Sequence, residues 1–138
     1  MIIQFSFSNF KTFKDRVVLS MLASNYDKDT NEEHNIINLE HPNLRLLKSC
    51  LMFGANASGK SKFIEAIAFF LGFILESSKN SLKGERIFVE PFRLNERTAK
   101  EPSEFEMIFL SYGTLYRYGF ETNSRAIVAE WLYARPVL

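Results

Sequence analysis

The chain has 138 residues, of which 46% are hydrophobic and 14 are Phe, and its 17 Lys and Arg nearly balance 16 Asp and Glu to give a net charge of +1. This composition suits one folded domain or part of one, and it excludes composition-driven disorder, a strongly basic nucleic-acid arm and a polyanionic tail. The single cysteine, Cys50, excludes an intrachain disulfide scaffold. No basic segment precedes an apolar run at the amino terminus, and the longest apolar run, residues 66–75, is shorter than the ~18 residues of a membrane span. We therefore expect a cytoplasmic protein with no membrane partner.

The first 24 residues predict an opening β-hairpin. Residues 2–7 alternate loosely and are rich in Ile and Phe, residues 9–13 form a polar-aromatic connector, and residues 17–22 have strand composition. Residues 25–45 begin as a densely charged polar stretch, which predicts a long solvated loop with at most a short turn of helix.

Residues 46–76 predict a strand, a turn and a helix in succession. Residues 46–53 are a short apolar run that ends at a glycine, which favours a buried strand. Residues 60–76 place apolar side chains nearly all around a helix, so we expect it to be buried on two sides, with a sheet on one of them. A polar loop is predicted over residues 77–86.

Residues 87–133 predict β-strands, including an antiparallel meander. Residues 87–89 favour a short strand that ends before Pro91, and the charged residues 95–104 favour a loop. Turn-forming pairs at positions 112–113 and 123–124 separate the three strand-like runs of the meander, which are residues 105–110, 115–120 and 127–133.

Residues 54–61 carry the most specific chemistry in the sequence. Their order, Gly-Ala-Asn-Ala-Ser-Gly-Lys-Ser, fits the pattern G-x-x-x-x-G-K-[ST] in full, between a predicted strand and a predicted helix. Gly54 and Gly59 permit a sharp turn and close approach of the backbone, so that loop N–H groups and the helix N-terminus surround phosphate. Lys60 is expected to reach the β- and γ-phosphates, and the Ser61 hydroxyl to ligate Mg²⁺. The pattern predicts a site for a nucleoside triphosphate with Mg²⁺, made by Gly54, Ala55, Asn56, Ala57, Ser58, Gly59, Lys60 and Ser61, and the resemblance described next implies that the nucleotide is ATP.

Several segments resemble a known family. Residues 2–13 are similar to the opening strand and the NF-[KR]-[ST]-F connector of RecF-like and SMC-like ABC-type ATPases. Residues 54–62 resemble the GxNGxGKS loop of that group, with Ala57 in place of the usual glycine. An alanine at this position is typical of bacterial AAA-family, ABC-type ATPases related to OLD-family and anti-phage defence proteins. Residues 116–121 and 130–132 also resemble the β-meander of that subgroup.

The resemblance implies an α/β fold, namely the P-loop NTPase lobe of an ABC-type head with an antiparallel β-meander subdomain, over residues 1–138. It also implies that Lys11 and Thr12 contact phosphate or base edges. The alternative is that both residues belong to a solvated connector and contact no ligand. Asn56 would approach the γ-phosphate, or else stabilise the loop through a hydrogen bond of its own side chain. In such ATPases two heads enclose ATP, and closure is transmitted to DNA or a nuclease partner.

The sequence departs from the complete family pattern. Its aspartates all precede the phosphate loop and its one glutamine is Gln4, so neither an Asp-Glu Walker B end nor a Q-loop glutamine follows Lys60. Residues 110–113, Leu-Ser-Tyr-Gly, resemble a signature motif only superficially, because a strand-like run follows them. Glu90 is interpreted as a loop carboxylate, since Pro91 interrupts the run. We therefore expect an incomplete amino-terminal lobe of a truncated or split ATPase, with no catalytic residue of its own.

Two other functions stay open on the sequence. A small P-loop phosphotransferase could use Arg86, Arg93 and Arg97 as lid residues, although no paired Asp accompanies them. A non-catalytic interaction fragment would instead expose the apolar helix as a docking patch. The phosphate loop alone does not decide between ATP and GTP.

Overall fold

The computed structural model describes residues 1–26, 32–77 and 86–137. The predicted loop over residues 77–86 therefore lies almost wholly outside the described residues. The described elements, in chain order, are β1 (Ile2–Ser8), β2 (Val17–Ser20), α1 (Glu32–Asn35), β3 (Ile36–Leu39), β4 (Leu44–Leu47), α2 (Lys60–Ser77), β5 (Ser103–Ser111), β6 (Thr114–Thr122) and β7 (Ile127–Pro136).

A five-stranded antiparallel sheet in the order β2-β1-β5-β6-β7 forms the body of the fold. The opening hairpin and the meander are confirmed, and β1 joins them by pairing with both β2 and β5. The turn between β5 and β6 has positive φ at Tyr112 (45°) and Gly113 (70°). Two successive residues of this kind make the tight turn whose twist matches that of a hairpin.

Aromatic side chains make the core between one face of this sheet and α2. In the sheet register Phe7 lies opposite Phe105, which in turn lies opposite Phe120 on the next strand. The helix contributes Phe63, Ala66 and Phe70, whose spacing places them on one helical face. The rings of Phe70 and Phe120 are stacked with centroids 5.6 Å apart.

The outer face of α2 differs from the prediction. Ile64 is 60% exposed and Leu71 is 42% exposed, so the helix is buried against the sheet on one side only. The sequence pattern shows that the helix is apolar all round, but it does not say which polypeptide covers the second side.

Residues 25–45 are not a single loop, which corrects the prediction. After the short helix α1, strand β3 pairs antiparallel with β4, with Ile36 opposite Leu47 and Leu39 opposite Leu44. Three of the four residues of β3 are apolar, but they follow a densely charged stretch, so the average polarity of residues 25–45 conceals a short hairpin.

The predicted buried strand at residues 46–53 is wrong beyond Leu47, where β4 ends. Leu51 and Phe53 are 78% and 87% exposed, and no described strand pairs with residues 48–53. A strand requires a neighbour to accept its hydrogen bonds. Apolar composition indicates that the segment suits a sheet, but the described residues supply no sheet beside it.

The short strand predicted at residues 87–89 is also absent. This segment lies in a loop in which the Val89 amide donates to the Ile87 carbonyl at 3.0 Å. Val89 is nevertheless buried in the core. Apolar β-branched residues such as Val89 are typical both of strands and of loop residues that pack into a core. Composition alone therefore predicts a strand here where the structure has a buried loop.

The second face of the sheet is organised by a buried carboxylate. Alternate strand residues point to opposite faces, so Glu106 lies across the sheet from the aromatic core. Its carboxylate, only 3% exposed, accepts hydrogen bonds from Arg16 Nη2 (3.1 Å), Arg117 Nε (2.7 Å) and Trp131 Nε1 (2.9 Å). The hydrogen bond and charge of Glu106 raise the pKa of Arg117. The Trp131 ring lies over Gly119, where an added Cβ would be 2.5 Å from a ring carbon.

Neither described helix has the length and apolarity needed to cross a membrane.

Candidate nucleotide site

The phosphate loop lies between an extended segment and the first turn of α2. The chain turns over residues 56–59, and the helix begins at Lys60, where the Phe63 amide donates to the Gly59 carbonyl at 2.9 Å. Ala57 has a φ of 63° and Gly59 a φ of 92°. The left-handed backbone at Ala57 explains why the resembling loops carry a glycine there, since alanine adopts it at a cost of roughly 1–2 kcal/mol.

Two glycines let this loop close. A Cβ on Gly54 would lie 2.7 Å from Ser58 Oγ, on the opposite side of the loop. A Cβ on Gly59 would lie 2.8 Å from Cζ of Phe13, which belongs to the β1–β2 connector (residues 9–16). The connector therefore packs directly against the loop, a contact between distant parts of the chain that the sequence does not reveal.

The Lys60 ammonium is drawn into the interior of the loop. Its Nζ donates to the carbonyls of Gly54 (2.6 Å) and Ala55 (2.7 Å) and to Ser58 Oγ (3.3 Å). Asn56 and Ser61 are exposed on the loop surface. The structure thus gathers the residues of the predicted site at the start of one helix, with the cation at their centre.

Lys11 lies near the same end of α2 but is paired with a carboxylate. Its Nζ bonds to Glu65 Oε2, and Lys62 Nζ bonds to the other oxygen of Glu65 at 2.7 Å. Hydrogen bonds from Lys11 and Lys62 lower the pKa of Glu65. Thr12 is exposed beside Lys11. Both predicted connector residues are therefore adjacent to the first turns of α2, with Lys11 held by an ion pair.

A cavity of about 320 Å³ opens beside this ion-pair cluster. One side is made by the connector and Lys62, and the other by residues 90–94, which we call the 90–94 wall. The Lys11 amide donates to the Glu90 carbonyl at 2.8 Å and joins the two sides. Glu90 lies in a loop, as expected. The lining residues are Lys11, Thr12, Lys62, Glu90, Pro91, Phe92, Arg93 and Leu94.

Asn9 is a further residue of this region that sequence reasoning did not single out. It is 5% exposed and has a φ of 52°. Its Nδ2 donates to the carbonyls of Thr98 (2.8 Å) and Glu101 (3.0 Å), and its Oδ1 accepts from the Phe92 amide (2.9 Å). The asparagine of the connector motif was the available signal, but its partners lie more than 80 residues away.

Leu110 and Ser111 end β5, and Tyr112 and Gly113 form the turn to β6, which agrees with the interpretation of residues 110–113 as part of a hairpin in place of a signature motif.

Residues 51–138 match the family described as AAA domain, putative AbiEii toxin, Type IV TA system. The match covers nearly two thirds of the chain and includes the phosphate loop, α2 and the whole meander. The chain belongs to this family of AAA domains. Membership confirms the coarser part of the prediction, an AAA-type P-loop domain of mixed α/β fold. A search of curated proteins gives no match.

Proposed function

We propose that this AAA domain is the ATP-binding lobe of an SMC/RecF-like ABC-type ATPase and holds Mg-ATP in residues 54–61. The observation that carries the proposal is the closed phosphate loop at the start of α2, with the Lys60 ammonium inside it. Family membership supports the same function, because the matched family is described as an AAA domain and the match includes the phosphate loop. The lobe comprises residues 1–138.

Lys60 would gain stronger hydrogen bonds if phosphate oxygens replaced its present acceptors, and this gain favours triphosphate binding. The ammonium now contacts neutral carbonyls of Gly54 and Ala55. Phosphate oxygens are charged acceptors, and a hydrogen bond to a charged group contributes about 1.5–3 kcal/mol, more than one between neutral groups. The unpaired N–H groups of the first turn of α2 add their own attraction for an anion. In this arrangement the exposed Ser61 hydroxyl serves as the protein ligand to Mg²⁺, with phosphates and water as the others.

Hydrolysis requires groups that these residues do not supply. No Asp follows Lys60 in the sequence, and the described residues contain no group of three His, Cys, Asp or Glu side chains that could hold a metal ion. We propose that the carboxylate that activates water comes from another polypeptide segment or from a second head in a head-to-head dimer. The 138 residues by themselves then bind Mg-ATP with little turnover.

Exposed apolar surface supports a partner for this lobe. Ile64 and Leu71 on the outer face of α2 are exposed, and so are Leu51 and Phe53 before the phosphate loop, in a segment (residues 48–53) that pairs with no described strand. Such surface is typical of an interface. We assign it to the remainder of the ATPase head. A DNA or nuclease partner is proposed only because the sequence resembles ATPases that have such partners.

Calorimetric titration with Mg-ATP tests the function. The substitution Lys60→Ala is expected to weaken binding by roughly 10-fold to 150-fold, the equivalent of about 1.5–3 kcal/mol. Lys14→Ala is the matched control, because Lys14 is an exposed lysine of the connector, and it should bind like the natural chain. Absence of binding by the folded natural chain, or equal affinity of the Lys60→Ala variant, would contradict the proposal.

A further inference from the structure

We propose that a second cavity, at the turn between β6 and β7, binds a small phosphate monoester with a hydroxylated body. This cavity, which we call the turn cavity, has a volume of about 420 Å³ and lies between residues 122–125, the start of β5 and the loop that precedes β5. Among the described residues, Pro91 is the one that lines both this cavity and the one beside the connector. The assignment does not depend on the proposed function, because the turn cavity is not lined by residues 54–61.

The floor of the turn cavity is built from buried residues. Val89, Ser103 and Thr122 line it and are 7%, 1% and 0% exposed. Ser103 Oγ donates a hydrogen bond to the Asn9 carbonyl, and Thr122 Oγ1 donates to the Ala126 carbonyl at 3.1 Å. The polar groups of the floor therefore already have protein partners, and the floor is part of the folded core.

The wall that carries Lys100 is fixed by Asn9. This side chain is 5% exposed, and its Nδ2 donates to the carbonyls of Thr98 (2.8 Å), Glu101 (3.0 Å) and Pro102 (3.1 Å). A buried amide thus holds the backbone on both sides of Lys100. Sites for small molecules are usually largely formed before the ligand arrives, and the turn cavity has this property.

Two cations at the rim indicate an anionic ligand. Lys100 and Arg125 are exposed and line the cavity from different segments of the chain. Within residues 1–26, 32–77 and 86–137, neither forms an ion pair. Glu101 is the one carboxylate among the lining residues, and its Oε1 lies 3.4 Å from Arg97 Nε. The cavity therefore combines two unpaired positive charges with a carboxylate that has its own partner.

The charge of the rim favours a phosphate monoester over a carboxylate. A phosphate monoester carries about −1.5 to −2 charges at neutral pH, which balances Lys100 and Arg125 together. A single carboxylate would leave one of these cations without a counter-charge. A guanidinium group can also donate two parallel hydrogen bonds to phosphate oxygens, while the lysine acts as a point charge.

The remaining lining residues suit a small body that is partly apolar and partly hydroxylated. Val89, Pro91 and Ala99 give apolar surface, and Asn123 and Ser124 give polar groups at the turn. The volume of about 420 Å³ falls within the range of small-molecule pockets. A phosphorylated sugar or polyol combines these features in one ligand.

Backbone amide NMR of the natural chain, titrated with glycerol 3-phosphate, tests the site directly. Titration to ~10 mM detects dissociation constants in the millimolar range. We expect saturable chemical-shift changes at residues 99–103 and 122–125. Glycerol, which lacks the charge, should cause none. Inorganic phosphate should bind about 3-fold more weakly than glycerol 3-phosphate, because it makes no apolar contact with Val89 and Pro91.

Substitutions at the rim give a second measurement. Arg125→Gln and Lys100→Gln should each weaken glycerol 3-phosphate binding about 10-fold, the equivalent of ~1.4 kcal/mol. Both residues are exposed, so the variants should fold, which circular dichroism verifies. Arg125→Lys keeps the charge and should recover part of the affinity. Arg135→Gln is the matched control, since Arg135 is exposed and does not line the cavity, and it should bind like the natural chain.

The location of the shifts separates this proposal from the nucleotide site. Shifts confined to residues 54–61 would mean that the phosphate loop alone binds the ester, and the turn-cavity assignment would be overturned. Absence of any shift, equal affinities of Arg125→Gln and Arg135→Gln, or equal affinities for glycerol 3-phosphate and inorganic phosphate would also overturn it. Failure of the folded chain to bind Mg-ATP would overturn the nucleotide site only.

Discussion

The sheet and the segment before α2 solve different physical problems within one short chain. In the sheet, Phe5, Phe105 and Phe120 have no exposed surface, and hydrogen bonds join every strand to its neighbour. Between residues 48 and 59 the backbone pairs with no described strand, and Phe53 is 87% exposed. The two regions meet at α2, whose inner face completes the core and whose first turn completes the phosphate loop.

Under the proposed function, the difference shows how stability and binding are divided. A site for a triphosphate must keep N–H groups and a cation available, which core packing would remove. Binding regions are accordingly drawn from the less stable parts of a fold. Here the aromatic core fixes α2, and α2 presents the loop, so substitutions should separate into those that change stability and those that change binding.

The largest expected effect is on the core. Phe105→Ala should lower the free energy of unfolding by about 3–5 kcal/mol, because it leaves a cavity among rings that pack on both sides of it. Phe88→Ala, at an exposed position, should change it by less than about 0.5 kcal/mol. Urea denaturation measures both variants, and equal losses would show that the core does not carry the stability.

The second effect tests whether the other face of the sheet belongs to the stable region. Glu106→Ala should cost about 2–3 kcal/mol, because it leaves Arg16, Arg117 and Trp131 without their common acceptor. The loss is smaller than for a fully buried ion pair, since both arginines are about half exposed. Glu104→Ala is the comparison on the same strand, because it removes only the exposed ion pair of Glu104 with Arg16 Nη1 (3.1 Å), and its denaturation midpoint should move less. Equal denaturation midpoints for Glu106→Ala and Glu104→Ala would show that the Glu106 cluster does not stabilise the fold.

Alanine substitutions at two glycines are expected to change stability in opposite directions. Gly119→Ala should destabilise the fold by ~1–3 kcal/mol, because its Cβ would clash with the Trp131 ring and with the Phe105 carbonyl oxygen at 2.7 Å. Gly72→Ala, within α2 and with nothing within 4 Å of the new Cβ, should stabilise it by roughly 0.5–1 kcal/mol. Thermal unfolding of both variants checks the signs, and destabilisation by Gly72→Ala would mean that the outer face of α2 is covered.

The smallest effect concerns the ion pairs that join the connector to α2. Because Lys11 and Lys62 lower the pKa of Glu65, their contribution to stability is present above the ordinary carboxyl pKa and is lost as the pH falls through the lowered value. Glu65→Gln should therefore lose a little stability at neutral pH and none at strongly acidic pH. Denaturation midpoints of the two chains across this range measure the difference, which should disappear at the acidic end. A constant difference would exclude titration of Glu65 as its cause.

Local patterns predicted those parts of the fold that depend on near neighbours. The meander follows from strand composition and turn residues, and the phosphate loop follows from two glycines and Lys60 at fixed spacing. Apolar composition predicts strands at residues 48–53 and 87–89 that the structure does not contain, and average polarity predicts a loop where β3 and β4 pair. Whether a segment pairs depends on a neighbour from elsewhere in the chain, which composition does not contain.

By itself the sequence determined a nucleotide-binding motif, a helix apolar on every side and an antiparallel meander, because each is encoded by residues close together in the chain. Only the tertiary structure decided which side of that helix is covered, that Glu106 binds partners from the connector, β6 and β7, and that Asn9 holds Phe92 against the connector. These contacts join residues far apart in sequence, and their energies depend on distances that only the folded chain defines.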